Sequence, residues 1–148
     1  MDKAETMIRG AREEIYIRLF PREADSLVTP LTEAEARGVQ VKCIFMAPFP
    51  ETFAIQVVHP QHEIVEASLG GRSFDLVVDK EEFMGGMFVP ESIETSRINW
   101  GRNRWFVISG RDSLRHDFFH YFLYKTHTLH QVLDEEETRL YEIIQEDM

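Results

Sequence analysis

His116 and His120 are the first residues of this 148-residue chain that could carry chemistry. Spaced four apart, they share one face if the segment is helical, as a metal-binding pair requires. Asp117 and the acidic C-terminal residues offer oxygen ligands beside them. The His-Glu-x-x-His order of zinc proteases is not written here, and Pro60 bars a helix across His59 to Glu63. These histidines, with His127 and His130 further on, read better as solvent-facing or interface groups, and no metal is expected. A second set is Arg72 and Asp79, which flank the strand segment Phe74 to Val78. A guanidinium there can hold a carboxylate or phosphate, or simply pair with Asp75 or Asp79. Asp79 stands just before a turn, where its side chain can cap backbone groups. A third set is Asn99, Trp100, Arg102 and Arg104, which offer stacking and hydrogen-bonding groups for a small molecule. The candidate ligand-binding residues are therefore Arg72, Asp79, Asn99, Trp100 and Arg102.

The elements that must position these groups follow from periodicity. Residues 2 to 11 read as a short helix and 14 to 20 as a strand ended by Pro21. Ala24, Leu27, Val28, Leu31 and Ala34 mark a helix that contains Pro30 and stops at Gly38. Val39 to Met46 is a second strand. Strand, helix and strand in so short a span predict a βαβ unit with parallel strands. A proline-bearing connection over 47 to 61 holds a short helix or extended piece at 53 to 58. Glu63 to Ala67 is read as a third strand, and Phe74 to Asp79 with Phe83 to Val89 as a hairpin. Residues 90 to 102 read as a long loop, 103 to 109 as a further strand, and Ser113 as the cap of a helix over 114 to 129. A last helix is expected over 135 to 146. The fold class is α/β: a mixed, mostly parallel sheet with helices on both faces.

The block Phe118-Phe119-His120-Tyr121-Phe122-Leu123-Tyr124 is apolar on more than one face, whereas a surface helix needs a single stripe. The surplus is covered either by the last helix or by a second copy of the chain. On the second reading Phe118, Phe119, Phe122 and Leu123 form a dimer interface, where aromatic residues are favoured.

Composition bounds the function. The length fits one domain over 1–148 that can bury its own core. No apolar run reaches the ~20 residues of a membrane span. A single cysteine, Cys43, sits in an apolar run, and the first residues carry no apolar signal core. Both suit a cytoplasmic protein. A net charge of −10 argues against this chain gripping a nucleic-acid backbone. Seven acids against Arg139 in the last fifteen residues fit a solvated helix face.

The hairpin Gly71 to Phe88 resembles the active-site hairpin of phospholipase D-like domains, in which a His, a Lys, an Asp and a Gly recur at fixed spacing. Asp79 and Gly86 fall on the Asp and Gly positions, while Arg72 and Phe74 occupy the His and Lys positions. In that chemistry the imidazole attacks phosphorus and later leaves, which a guanidinium cannot do. Over residues 3 to 130 the order of segments also resembles the effector portion of TrmB-like transcriptional regulators. It runs from Ala11-Arg12-Glu13-Glu14-Ile15-Tyr16-Ile17 through Arg37-Gly38-Val39-Gln40-Val41 and Asp75-Leu76-Val77-Val78-Asp79. It ends in Trp105-Phe106-Val107-Ile108 and the aromatic block.

That resemblance implies a phospholipase D-like three-layer sandwich without catalysis and without a cofactor. It implies a homodimer that senses a small-molecule effector and reaches DNA through a winged helix-turn-helix, a segment not read in these 148 residues. The alternatives are a phosphodiesterase or nuclease of the phospholipase D-like class, or a stand-alone metal- or ligand-binding sensor.

Overall fold

A computed structural model describes residues 1–89 and 97–148. The elements are α1 (Asp2–Arg9), β1 (Glu14–Leu19), α2 (Pro21–Ala36), β2 (Gln40–Phe45), β3 (Ile55–Val58), α3 (His62–Leu69), β4 (Arg72–Val78), β5 (Glu82–Phe88), β6 (Arg97–Gly101), α4 (Arg104–Leu123) and α5 (Glu135–Glu146). A π-helical turn, Tyr124–Thr128, extends α4. The six strands form one sheet in the order β3-β2-β1-β4-β5-β6.

The βαβ unit is as the sequence predicts, with β1 and β2 parallel and adjacent. β3 also runs parallel to β2, while β4, β5 and β6 join antiparallel. The expectation of a mostly parallel sheet is corrected: antiparallel neighbours predominate, because β4 joins β1 antiparallel and β4, β5 and β6 lie side by side in chain order with alternating direction.

Strand alternation gives the sheet two apolar faces. Ile15, Ile17 and Leu19 of β1, with Val41, Cys43 and Phe45 of β2, pack against α1 and α2. On the other face Tyr16, Ile44 and Val77 meet Val107, Leu114, Phe118 and Phe122 of α4, and Leu140 and Ile144 of α5. The sheet is therefore the middle of three layers, with β1 at its centre buried on both sides.

Three local assignments change. Residues 63 to 67 lie in α3, closed by Gly70 in the left-handed region at φ 69°. Ile64 and Val65 favour strands, yet no residue of this segment is buried. The third strand is instead the extended piece at 55–58. Residues 103 to 109 are not a strand. Asn103 caps α4 by accepting from the Trp105 and Phe106 amides, and Val107, Gly110, Arg111, Leu114, Phe118 and Phe122 form its buried stripe. That cap and 3.6-residue period override the β-propensity of Trp105, Phe106, Val107 and Ile108. Ser113 consequently lies exposed inside α4 rather than at its start. Of the expected loop at 90 to 102, residues 90–96 lie outside the described residues, and 97–101 are strand β6.

The hairpin loop is Asp79 to Glu81; Asp79 and Lys80 sit at positive φ (54° and 60°), as the centre of a primed turn demands, and the Glu81 amide donates to the Val78 carbonyl at 2.9 Å. Gly86 is obligatory. At φ 156° a Cβ there would sit 1.8 Å from the Arg97 carbonyl oxygen of β6.

Candidate functional site

β1 presents its polar row, Glu14, Tyr16 and Arg18, to the face covered by α4. Each end of that row gathers a cluster of charges.

The first cluster is closed. Lys42 of β2 is fully buried, with its Nζ 3.2 Å from Glu14 Oε2 and paired to Asp147. Arg111 of α4 donates to both Glu14 oxygens, at 2.6 and 3.1 Å, and lies 2.9 Å from Asp147 Oδ1. The Tyr16 hydroxyl donates to Asp147 Oδ2 at 2.6 Å. Lys42 and Arg111 both approach the Tyr16 ring, at 4.4 and 5.3 Å from its centroid. Two cations thus meet two carboxylates. Burial and the Asp147 hydrogen bond push the Tyr16 hydroxyl far above its ordinary pKa, so it stays a donor. Burial works against ionisation of Asp147, but hydrogen bonds from Lys42 and Tyr16 hold its carboxyl below the usual range.

The second cluster opens onto a crevice at the carboxyl ends of β1, β2 and β3, where open α/β sheets bind ligands. Arg18 donates to Asp75 Oδ2 through Nε at 3.0 Å and Nη2 at 2.5 Å, and also pairs with Asp117 of α4. Arg18 and Asp75 are directly opposed across β1 and β4. Gly85 of β5 makes room for this carboxylate, since a Cβ there would lie 2.7 Å from Asp75 Oδ1. His59 follows β3 and is buried, with Nε2 3.8 Å from Asp117 Oδ1. Its Nδ1 accepts the Gln61 amide at 3.1 Å, which assigns the proton to Nε2. The His120 ring stacks on His59 with centroids 5.2 Å apart.

Here two carboxylates share one arginine. Burial drives the Asp75 pKa up despite Arg18, and burial lowers that of His59 despite Asp117. The cavity measures about 170 Å³; Ser73 and Asp117 line it beside Arg18 and His59, and Met46, Val65 and Leu69 form its apolar wall.

The residues singled out from the sequence are dispersed. Arg72 does not face this crevice. It lies on the α2 side of the sheet, its Nε 2.9 Å from Glu23 Oε1. Phe74 is fully buried in the core beneath α1 and α2. The Asp79 carboxylate accepts the Arg12, Glu13 and Glu14 amides at 2.9, 2.7 and 3.0 Å. It fastens the α1–β1 loop, so the capping reading holds and a ligand role has no free oxygen to rest on. Asn99 is exposed on β6 opposite Gly85. Trp100 donates to Glu82 at 3.0 Å and lies beneath Lys3, while Arg102 sits 3.5 Å from both Glu81 and Glu82. These three line neither the crevice nor the groove described next.

Phe118 is fully buried under the sheet and α5, which removes it from the expected dimer surface, while Phe122 is buried but forms the floor of an apolar groove. The last helix covers them because Leu140 and Ile144 complete that layer. Phe119 and Leu123 remain on this groove of about 320 Å³ with Leu133 and Tyr141. His116 is exposed, and His120 turns inward to His59. His127 lies in the π-helical turn and His130 beyond it at φ 53°, so the four histidines do not share one helix. Among the described residues no group of three or more His, Cys, Asp or Glu is placed to hold a metal ion.

Of the crevice residues, Arg18, His59 and Ser73 were missed as site residues from sequence, Asp117 was read only as a possible metal ligand beside His116 and His120, and Asp75 only as a possible partner of Arg72. One signal was available: Glu14, Tyr16 and Arg18 alternate with Ile15, Ile17 and Leu19, which puts titratable groups on a sheet face that must be covered.

No family model matches the chain, and no curated protein matches it by sequence. Among solved structures it is similar to TrmBL2, described as an archaeal chromatin protein with a novel mode of DNA binding. The likeness has a TM-score of 0.50 at 18% identity, and covers 77% of this chain and 46% of that one. It concerns the fold. The match spans less than half the length of that neighbour.

Proposed function

We propose that residues 1–148 form one regulatory domain of a TrmB-like transcription regulator, built on a phospholipase D-like sandwich that carries no catalysis. The observation that carries this reading is the fate of the catalytic positions. Phe74, where the resemblance places the phosphate-binding Lys, is fully buried, and Arg72, in place of the nucleophilic His, is held by Glu23. The fold likeness to TrmBL2 supports the regulatory half of the reading.

The domain acts in the cytoplasm by sensing an effector and passing the change to DNA-binding heads through a dimer. The groove beside Phe119 and Leu123 supports the dimer, because Leu123 is 56% exposed and the wall is aromatic. With a net charge of −10, this chain itself leaves DNA to another domain.

The test compares the complete gene product with the 148-residue chain in DNA retention assays. The gene product is expected to bind DNA and the isolated chain is not. Turnover of a phosphodiester by the purified chain, abolished by changing Arg72 or Asp79, would overturn the reading.

A further inference from the structure

We infer that the crevice between β1, β4, α3 and α4 binds a small, neutral, hydroxyl-bearing molecule, whose oxygen accepts from His59 Nε2–H and donates to Asp117 Oδ1. This rests on the regulatory reading for its biological use and gives the effector a place and a chemistry.

The His59 side chain is more than nine-tenths buried and lines the cavity. Its Nδ1 is occupied by the Gln61 amide, so Nε2 is a donor. Among the described residues the nearest acidic oxygen is Asp117 Oδ1 at 3.8 Å, too far for a hydrogen bond. His59 Nε2 thus stands at the cavity wall as a donor with no hydrogen-bond acceptor among the described residues. The 3.8 Å gap is spanned by one oxygen that lies about 2.8 Å from each group.

The chemistry of the gap selects among ligands. Asp117 uses Oδ2 on Arg18, which leaves Oδ1 as an acceptor. The bridging group must therefore accept from one side and donate to the other, as a hydroxyl does. A carboxylate or phosphate has no proton for Asp117 and meets that carboxylate beside an arginine already engaged by Asp75 and Asp117. An ammonium has no lone pair for Nε2–H. Ser73 adds a second hydroxyl to the same cavity, suited to a diol. Met46, Val65 and Leu69 accept a short hydrocarbon edge. The volume of about 170 Å³ suits a ligand of a few carbons. Burial keeps His59 neutral, consistent with a neutral ligand.

The experiment follows the His59 imidazole by NMR in the full chain while propane-1,2-diol, isobutyrate or isobutylamine is added. The diol is expected to shift the His59 signals saturably, in the millimolar range appropriate to so few atoms. The two charged probes are expected to produce no saturable shift.

Two variants locate the effect. Leu69→Trp fills the cavity from α3, whose residues are not buried, so the fold is retained. Asp117→Asn keeps the side-chain shape but puts an amide in place of the carboxylate, with no negative oxygen left to accept the ligand's proton. Loss of the diol response in Leu69→Trp, and at least a tenfold weakening in Asp117→Asn, support the site. A response that survives Leu69→Trp, a saturable response to isobutylamine or isobutyrate instead, or no response to any probe overturns it. These outcomes stand apart from the DNA retention assay, so either proposal can fail alone.

Discussion

The two charge clusters at the ends of the β1 row use the same strand and the same helix, yet they are built oppositely. At one end Glu14 meets Lys42, Arg111 and Asp147, and each carboxylate has more than one cationic partner. At the other end Arg18 alone serves Asp75 and Asp117, and the nearest further donor is a neutral histidine. The first cluster is balanced, with Lys42, Glu14 and Arg111 buried, and such balance is what a buried ionic network needs in a low dielectric. The second retains an uncompensated charge and an unused donor beside a cavity. A fold has no structural reason to keep that arrangement, so the difference separates what holds the molecule together from what is available for binding.

The sharpest way to break this contrast is Lys42→Met. It leaves Glu14 and Asp147 buried with Arg111 alone, and is expected to cost about 3–5 kcal/mol. Urea unfolding measures it. The double variant Lys42→Met with Glu14→Gln restores balance and is expected to regain at least part of the loss. No regain would mean that packing of the lysine stem, not charge, sets the cost.

Arg18→Met is expected to cost less, about 2–3 kcal/mol at neutral pH, because burial already pushes Asp75 toward its protonated form. The loss should shrink on acidification. Asp75 already titrates above its ordinary range through burial, and removing Arg18 raises it further. A pH-independent loss in urea titrations would contradict this.

Acidification of the unaltered chain has the smallest effect. The folded pKa of His59 lies below its ordinary 6.5 through burial. Its neutral form therefore stabilises the fold above pH 6.5, and that contribution is lost as pH falls through the folded value. One such proton gives at most about 1.4 kcal/mol per pH unit. Hydrogen bonds hold Asp147 and Glu137 below the usual carboxylate range against the opposing effect of burial, so their contributions persist above that range and fade at still lower pH. Asp75, shifted upward, acts in the opposite sense. The urea midpoint is expected to fall between pH 7 and pH 5, and His59→Gln to flatten the profile. An equal slope in both proteins would remove His59 from the account.

Much of the framework was legible in the sequence because its signals are local. The βαβ unit over 14 to 46, the hairpin around Asp79 and the last helix each announce themselves through period, proline or turn chemistry. The failures at 63 to 67 and 103 to 109 share one cause. Both segments carry β-formers, and their helical state was decided by the αL glycine after α3 and by the Asn103 cap and buried stripe of α4. The crevice was harder to read. Arg18 and Asp117 are 99 residues apart, and they meet only once α4 crosses the central strand. The aromatic block illustrates the same limit, since its surplus was divided between α5 over Phe118 and Phe122 and a groove beside Phe119 and Leu123.

The most direct measurement makes the same substitution in both clusters. Asp147→Asn leaves Lys42 and Arg111 to share Glu14 and so unbalances the closed network. Asp117→Asn leaves Arg18 with Asp75 and so balances the open one. In urea unfolding at pH 7, Asp147→Asn is expected to lose at least about 2 kcal/mol more than Asp117→Asn, which should stay within about 1 kcal/mol of the parent. Equal losses, or a larger loss for Asp117→Asn, would contradict the division into a closed structural network and an open binding site.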